Sequence, residues 1–271
     1  MVTRGKTAVN HNDCESPGRL KPIIEFRDVK YQVNTTNSRP VLDGVSLEIH
    51  QGETIALLGR SGSGKTTMLK MINRLRSFSS GDVVVDGRSV AEWDPIKLRR
   101  GIGYVIQEIG LFPHLTLEEN VSIVPGLEGW PADRIKSRFT EVLQLVGLDP
   151  SEFAGRYPRE LSGGQRQRVG VARALAADPS ILLMDEPFGA LDPATRAELQ
   201  QEFLGLVRRV SKTIVLVTHD LREALLLGTR VVLLDAGKIV ASAAPQEFLK
   251  LDHPVARQFI AASELVTGAA A

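Results

Sequence analysis

Two different spacings of hydrophobic residues recur along the chain, and each predicts a different element. The run Val45-Ser46-Leu47-Glu48-Ile49 alternates apolar with polar residues, which is the period of a half-buried strand. Short runs of consecutive apolar residues predict strands that are more completely buried. Together these patterns predict strands at residues 23–29, 41–49, 54–58, 83–87, 103–107, 181–184, 213–217, 231–234 and 238–240.

Longer segments carry apolar residues at helical spacing. In residues 131–146 one helical face collects five of them: Ile135, Phe139, Val142, Leu143 and Val146. Residues 67–75 contain no Gly or Pro to interrupt a helix, and residues 194–210 form a long helical pattern. Prolines and helical patterns dominate between residues 108 and 170, which predicts an α-helical insertion.

Strands separated by helices predict an α/β fold with a mainly parallel sheet, here split by the helical insertion. The first strands, at 23–29 and 41–49, are expected to form an antiparallel β-subdomain. Asp235-Ala236-Gly237 is expected to join the last two strands as a hairpin. We expect a disordered leader at 1–20, a core at 21–107 and 171–250, a helical subdomain at about 108–170, and a short tail at 251–271.

Composition limits the class of protein. The chain has 271 residues, of which 43% are hydrophobic and 24% charged, and its net charge is +1. This is typical of a globular protein, and no basic field argues for a nucleic-acid partner. No apolar run approaches the ~18 residues of a membrane span, and residues 1–20 lack the apolar centre of a secretory signal. Cys14 is the only cysteine, so no intramolecular disulfide can form. We therefore expect a cytoplasmic location, with any membrane role supplied by a partner.

A glycine-rich stretch connects the predicted strand at 54–58 to the predicted helix that follows. It reads Gly59-Arg60-Ser61-Gly62-Ser63-Gly64-Lys65-Thr66 and continues into Thr67. This is the phosphate-binding loop pattern, in which glycines let backbone amides face phosphate oxygens and the helix N-terminus adds positive charge. We expect Lys65 to reach the β- and γ-phosphates and Thr66 to ligate Mg²⁺. The alternative, a glycine-rich turn with an incidental lysine, is disfavoured by the flanking strand and helix.

Two further stretches suit phosphate chemistry. The apolar strand at 181–184 ends in Asp185 and Glu186. We expect Asp185 to hold Mg²⁺ beside the phosphate loop, and Glu186 to point the other way and polarise an attacking water. Residues 161–168 place Ser162 and two glycines at the start of a helix, where free amides and a hydroxyl are again suited to phosphate. An ordinary solvated acidic loop and an ordinary helix cap are the structural alternatives.

Taken together, these motifs resemble the ATPase subunits of ATP-binding cassette (ABC) transporters. Residues 161–165 match the family's signature motif, Leu-Ser-Gly-Gly-Gln, letter for letter, and residues 59–66 and 181–186 match its Walker A and B motifs. Gln107 matches the Q-loop, Asp192 the D-loop, and His219 the switch histidine. The resemblance covers residues 22–250 and implies a P-loop NTPase (RecA-like) core that binds ATP and Mg²⁺.

The resemblance also implies roles for these residues. Glu186 would be the general base, His219 would contact the γ-phosphate, and Gln107 would sense Mg²⁺ and the attacking water. Two copies of the chain would sandwich two ATP molecules. Each nucleotide would lie between Lys65 and Thr66 of one copy and the signature residues of the other, which are Ser162, Gly163, Gly164 and Gln165.

The chain departs from the family pattern at the adenine-stacking aromatic. Val33 occupies the usual position, four residues after Val29, and Tyr31 lies two residues earlier. A shift of two residues keeps the same face of a strand. We therefore expect Tyr31 to be the candidate for stacking on adenine, through a shifted loop.

Within the family, residues 71–75 and 102–119, together with residues 124–130, are similar to importers of compatible solutes: glycine betaine, choline, carnitine or proline betaine. The resemblance implies transmembrane permease subunits and, indirectly, a solute-binding protein as partners at the cytoplasmic face of the membrane. Many such relatives carry a C-terminal regulatory pair of modules of the cystathionine-β-synthase type. Residues 251–271 are too short for that pair, so we expect none in this chain.

Three other functions share the ATP chemistry. The chain could serve an importer of another small solute, or an exporter or lipid transporter, although residues 111–119 favour import. A soluble ABC protein that acts on ribosomes or DNA would usually fuse two cassettes or insert a long coiled coil. This chain has one cassette and a short insertion.

Overall fold

The computed structural model describes residues 21–33 and 39–268, with side chains through residue 263. The expected leader at 1–20 and the end of the expected tail lie outside the described residues. Within the described part of the chain, no helix has both the length and the apolar character needed to cross a membrane.

A four-stranded antiparallel sheet forms one layer, as predicted. Phe26, in its central strand, faces Leu47 on one side and Val83 on the other, so buried apolar residues line one face of the sheet. The strands are β1 (Pro22–Tyr31), β2 (Leu42–His50), β4 (Ser80–Val85) and β5 (Arg88–Ser89). Their spatial order is β2-β1-β4-β5.

The second, six-stranded sheet carries the candidate chemistry at one edge. Its strands are β3 (Thr54–Leu58), β6 (Ile102–Val105), β7 (Ile181–Asp185), β8 (Thr213–Thr218), β9 (Arg230–Asp235) and β10 (Lys238–Ala243). They lie in the order β10-β9-β3-β8-β7-β6 and pair in parallel, except that β10 forms the predicted antiparallel hairpin with β9. Leu58 pairs with Thr218, and Asp185 with Val217. The carboxyl ends of β3, β7 and β8 therefore meet, where α/β sheets place ligands.

Over residues 21–33 and 39–268, ten α-helices and one short 3-10 helix (Pro158–Glu160) accompany the sheets. Their bounds are α1 (Lys65–Ile72), α2 (Pro95–Arg100), α3 (Leu117–Leu127), α4 (Ala132–Leu145), α5 (Pro150–Phe153), α6 (Gly163–Leu175), α7 (Pro193–Val210), α8 (Leu221–Leu227), α9 (Pro245–Phe248) and α10 (Pro254–Gly268). In α4, Phe139, Val142 and Leu143 are buried, as the helical pattern predicted. The α/β fold with an antiparallel β-subdomain and inserted helices is thus confirmed.

Several predicted boundaries of strands and helices were inaccurate, among them the strand predicted at 83–87, which is β4 at Ser80–Val85. The helix predicted at 67–75 is α1, which begins at Lys65. It ends at Ile72 because Arg74 has a positive φ of 53° and the amide of Leu75 donates to the carbonyl of Lys70. Strand β6 ends at Val105, so Gln107 lies in a turn and not in the strand. The expected subdomain boundary at residue 170 falls inside α6, and the division into subdomains stays a prediction.

Candidate nucleotide site

The phosphate-binding loop leaves the buried end of β3 and enters α1. Gly64, the residue before α1, has φ of 107°, and a Cβ there would lie 2.6 Å from Cδ2 of Leu42, so only glycine fits. The side chain of Lys65 is buried, and its Nζ donates hydrogen bonds to the carbonyls of Gly59 (2.7 Å) and Arg60 (2.9 Å). Burial lowers the pKa of Lys65, and the charges of Glu186 and Asp185 oppose that shift. The ammonium group is thus held inside the loop.

Thr66 and Asp185 meet across the end of the sheet. The Thr66 hydroxyl donates to Oδ1 of Asp185 at 2.7 Å, and the Tyr104 hydroxyl lies 3.5 Å from Oδ2. Burial raises the pKa of Asp185, while the hydrogen bond from Thr66 lowers it. A hydroxyl and a single carboxylate beside a phosphate loop are the hard oxygen ligands that Mg²⁺ takes together with nucleotide phosphates. The donor set therefore fits the expected ion.

Glu186 turns away from Asp185 toward His219. Its backbone has a positive φ of 46°, uncommon for a residue with a Cβ, and its amide donates to the carbonyl of Val217 at 3.0 Å. Oε2 of Glu186 lies 3.2 Å from Nδ1 of His219. The two neighbouring acids therefore point to opposite sides of the strand end. Asp185 lies beside Thr66, and Glu186 lies beside His219.

Several of these groups line one cavity of about 620 Å³. Its walls include ten of the residues predicted for the site: Arg60, Ser61, Gly62, Gly64, Lys65, Thr66, Thr67, Gln107, Glu186 and His219. Val41 and Phe259 also line it, and the sequence patterns did not predict either residue. Phe259 lies in the segment regarded as a tail. The apolar spacing of Val255, Ala256, Phe259 and Ile260 is the signal that could have revealed its helix.

Other predicted residues lie elsewhere. Tyr31, at the end of β1, is not among the described residues that line the cavity. Its hydroxyl accepts a hydrogen bond from Nη1 of Arg76 at 2.8 Å, and that guanidinium also lies 5.5 Å from the ring centroid. Its role toward adenine stays a prediction.

The signature residues at 161–165 form the capped N-terminus of α6 and do not line this cavity. The Ser162 hydroxyl accepts from the amide of Gln165 (3.2 Å), and Oε1 of Gln165 accepts from the amide of Ser162 (2.9 Å). A Cβ on Gly164 would lie 3.0 Å from Cγ2 of Thr195, so the start of α6 packs closely against α7. Ser162 is exposed at the start of the helix, and the signature motif lies outside the cavity that the phosphate-binding loop lines.

Asp192 has a structural role that the sequence pattern did not show. Its Oδ1 accepts hydrogen bonds from the amides of Ala194 (3.2 Å) and Thr195 (3.0 Å), which caps α7. Hydrogen bonds from Thr195 and Ala194 lower the pKa of Asp192. A contribution of Asp192 to a nucleotide stays a prediction.

A comparison with protein families identifies the chain. The model of the ABC transporter family matches residues 42–189, which include the phosphate loop, the signature motif and the acidic pair. The chain belongs to the ABC transporter family. The resemblance inferred from the motifs is thereby confirmed.

Curated relatives of this ABC protein include osmoprotectant transport subunits. It is 55% identical over 212 residues to the glycine betaine/carnitine/choline transport ATP-binding protein OpuCA of Bacillus subtilis, covering 78% of this chain and 56% of that protein. It is 53% identical over 229 residues to the osmoprotectant import ATP-binding protein OsmV of Salmonella typhimurium, covering 84% and 60%. The chain thus spans little more than half the length of these relatives. For the glycine betaine uptake system ATP-binding protein YehX of Escherichia coli, the identity is 47%, with 90% and 78% covered.

Solved structures show the same fold. A dimeric ATP-binding cassette in a post-hydrolysis state bound to ADP and Pi superposes with a TM-score of 0.72 and 34% identity, covering 82% of this chain and 98% of that one. A second dimeric structure of the same cassette, described as a bacterial ABC transporter cassette, gives a TM-score of 0.73 and 35% identity, with the same coverage.

Proposed function

We propose that this chain binds and hydrolyses ATP to energise an ABC importer for compatible solutes such as glycine betaine, choline, carnitine or proline betaine. The observation that carries the ATPase proposal is the cavity lined by Lys65, Thr66, Glu186 and His219. Thr66 is hydrogen-bonded to Asp185, and Glu186 lies against His219. The solute class rests on the names of the relatives that are 47–55% identical to the chain.

In this proposal ATP lies along the loop at 59–66. Amides of the loop and Lys65 bind its phosphates, while Thr66 and Asp185 would hold Mg²⁺, which neutralises charge on the β- and γ-phosphates when bound. Glu186 orients a water and accepts its proton as the water oxygen attacks the γ-phosphorus. The bond to the β-γ bridging oxygen breaks, and ADP and phosphate leave. His219 and Gln107 line the same cavity and serve as contacts to the γ-phosphate and the water.

The active site is completed by a second copy of the chain. Support comes from the placement of the signature motif outside the cavity of its own subunit, and from the dimeric state of the similar solved cassette. Ser162, Gly163, Gly164 and Gln165 of one copy would cover the nucleotide on the other, where the helix N-terminus favours phosphate. Asp192 would lie at the same interface.

Permease subunits and a solute-binding protein are the remaining partners, and the chain would be a peripheral subunit at the cytoplasmic face of the membrane. No nucleic acid is involved. The turn that contains Gln107 would transmit closure of the dimer to the permease. The Arg173 guanidinium donates to the carbonyls of Ile109 and Gly110 (2.7 Å each) and so holds this turn against α6.

An importer of another solute is the second candidate, because the chain is also 42% identical to a methionine import ATP-binding protein of Caulobacter vibrioides. The test is the ATPase rate of the transporter reconstituted with its permease and binding protein. Glycine betaine, choline, carnitine or proline betaine should raise the rate severalfold, whereas methionine should not. Stimulation by methionine alone would overturn the solute assignment and leave the ATPase proposal intact.

A further inference from the structure

The C-terminal helix α10 makes direct contact with the phosphate-binding loop. Nη2 of Arg60, the second residue of the loop motif, donates to Oε1 of Gln258 at 2.6 Å. The next residue, Phe259, lines the nucleotide cavity together with Arg60 and His219. The loop and the helix are far apart in the sequence, so this contact is a product of the tertiary fold.

Helix α10 is anchored beside the site at more than one point. Ala256 is fully buried in a cluster with Ala56 and Leu58 of β3, the strand that leads into the loop. Nη2 of Arg222, on α8, donates to the carbonyl of Ser263 at 2.9 Å. Since α8 begins just after His219, α10 bridges the two segments that flank the cavity.

The charge of Arg60 is left uncompensated by this contact. Gln258 is a neutral acceptor, and no carboxylate in the described part of the chain lies within 4.0 Å of the Arg60 guanidinium. The guanidinium is exposed at the cavity wall, so it has N–H groups left over to donate. A cation held in this way is suited to a phosphate oxygen, with which it forms a charge-assisted hydrogen bond.

We propose that α10 is part of the nucleotide site: Gln258 positions the Arg60 side chain as a second cation, beside Lys65, for the terminal phosphate of a nucleoside triphosphate. The inference rests on the proposed function and assigns to the Arg60 side chain a role separate from the backbone amides of the loop. Phe259 lines the same cavity as Arg60 and His219. Because ADP lacks the terminal phosphate, Arg60 favours ATP over ADP.

The sharpest test exchanges the neutral acceptor for a charged one. Gln258→Glu keeps the acceptor oxygen and pairs it with Arg60, so the positive charge available to the nucleotide falls. Arg60→Met removes the positive charge of the side chain. Arg60→Lys keeps the positive charge but lacks the planar guanidinium group. Gln201→Glu, at an exposed position on α7, is the matched control for the added negative charge. Thermal unfolding of each variant verifies that it is folded.

The measurement is the Kd for Mg-ATP and Mg-ADP by calorimetry at low and high salt. Gln258→Glu and Arg60→Met should weaken ATP binding by about threefold to tenfold, with less than about twofold change for ADP. Arg60→Lys should recover part of the loss, and the difference from wild type should shrink as salt screens the charge. Gln201→Glu should bind as wild type does.

Two results would overturn the inference. The first is an unchanged Kd for ATP in folded Gln258→Glu and Arg60→Met, while wild type binds ATP. The second is an equal rise in Kd for ATP and for ADP, which would show that Arg60 does not act on the terminal phosphate. If wild type binds neither nucleotide, the proposed function falls, and this inference falls with it.

Discussion

Nδ1 of His219 lies 3.2 Å from Oε2 of Glu186, at the adjoining ends of β8 and β7. The preceding residue of β7, Asp185, faces Thr66 on the other side, so two consecutive carboxylates are divided between two tasks. This division follows from the strand end and the positive φ of Glu186, and it underlies the first two predictions.

Glu186→Gln keeps the size of the side chain and removes its ability to accept a proton from water. We expect hydrolysis to fall by about 10²-fold or more, while ATP binding persists. The variant should accumulate as an ATP-bound dimer on size-exclusion chromatography with light scattering. Glu118→Gln, at an exposed position on α3, is the control. Hydrolysis by Glu186→Gln at the wild-type rate would show that the carboxylate is not the base.

Thr66→Val removes the hydroxyl that lies 2.7 Å from Asp185 and retains the shape of the side chain. Because the hydroxyl is a proposed Mg²⁺ ligand, the Kd for ATP measured with Mg²⁺ should rise by about tenfold or more, by analogy with the loss of one charge-assisted contact. In EDTA the variant should bind ATP about as wild type does. An equal loss in Mg²⁺ and in EDTA would assign Thr66 to the nucleotide and not to the metal.

Gly163→Asp tests whether the signature motif acts on the other subunit. A Cβ at Gly163 meets Cδ2 of Leu191 at 3.4 Å, an ordinary contact, so the position accepts a side chain. The new carboxylate would repel phosphate at the helix start, and hydrolysis should fall by about tenfold or more. Binding of ATP to the isolated subunit should stay within about twofold. Gly163→Ala supplies the control for size, and weaker ATP binding by monomeric Gly163→Asp would contradict the arrangement.

We expect the stability of the protein to depend on pH because of Glu223, a buried acid on α8. Burial, assisted by the charge of Asp220, raises the pKa of Glu223 to about 8. Between its ordinary value of 4.5 and about 8, the folded state holds a proton that the unfolded state has lost. The free energy of unfolding therefore falls as pH rises through this window, by up to about 1.4 kcal/mol per pH unit.

Glu223→Gln removes this dependence, since the amide does not ionise. Relative to wild type, the variant should unfold at a similar temperature at pH 5 and at a higher temperature at pH 8.5. The rise is roughly 2–4 °C for each kcal/mol recovered. Scanning calorimetry at the two pH values measures it. A constant difference in Tm at both pH values would mean that Glu223 is ionised throughout.

Much of the fold followed from short-range patterns. The alternation at residues 45–49 and the apolar runs at 54–58 and 213–217 predicted strands that the structure contains, since burial of one or both faces imposes those periods. Helix ends were harder. The end of α1 depends on the left-handed backbone of Arg74, for which an arginine side chain gives no signal.

Site residues that belong to a local sequence motif could be predicted from the sequence. Site residues that are brought in by tertiary packing could not. Lys65 and Thr66 follow from the glycine pattern, and the position of Asp185 follows from the end of a buried strand. Phe259 entered the cavity because Ala256 anchors α10 against β3, a contact between distant segments. The hydrogen bond between Tyr31 and Arg76 likewise joins residues that are distant in the sequence, so no local sequence pattern predicts it.

We propose that each subunit holds half of a nucleotide site and that a second copy completes it. The most direct test is the ATPase rate per subunit of the purified wild-type chain, at saturating Mg-ATP, over a protein concentration range that spans the monomer and the dimer. We expect a rate per subunit that is near zero for the monomer and rises with the dimer fraction. A rate per subunit that is independent of concentration, in a preparation shown to be strictly monomeric, would contradict it.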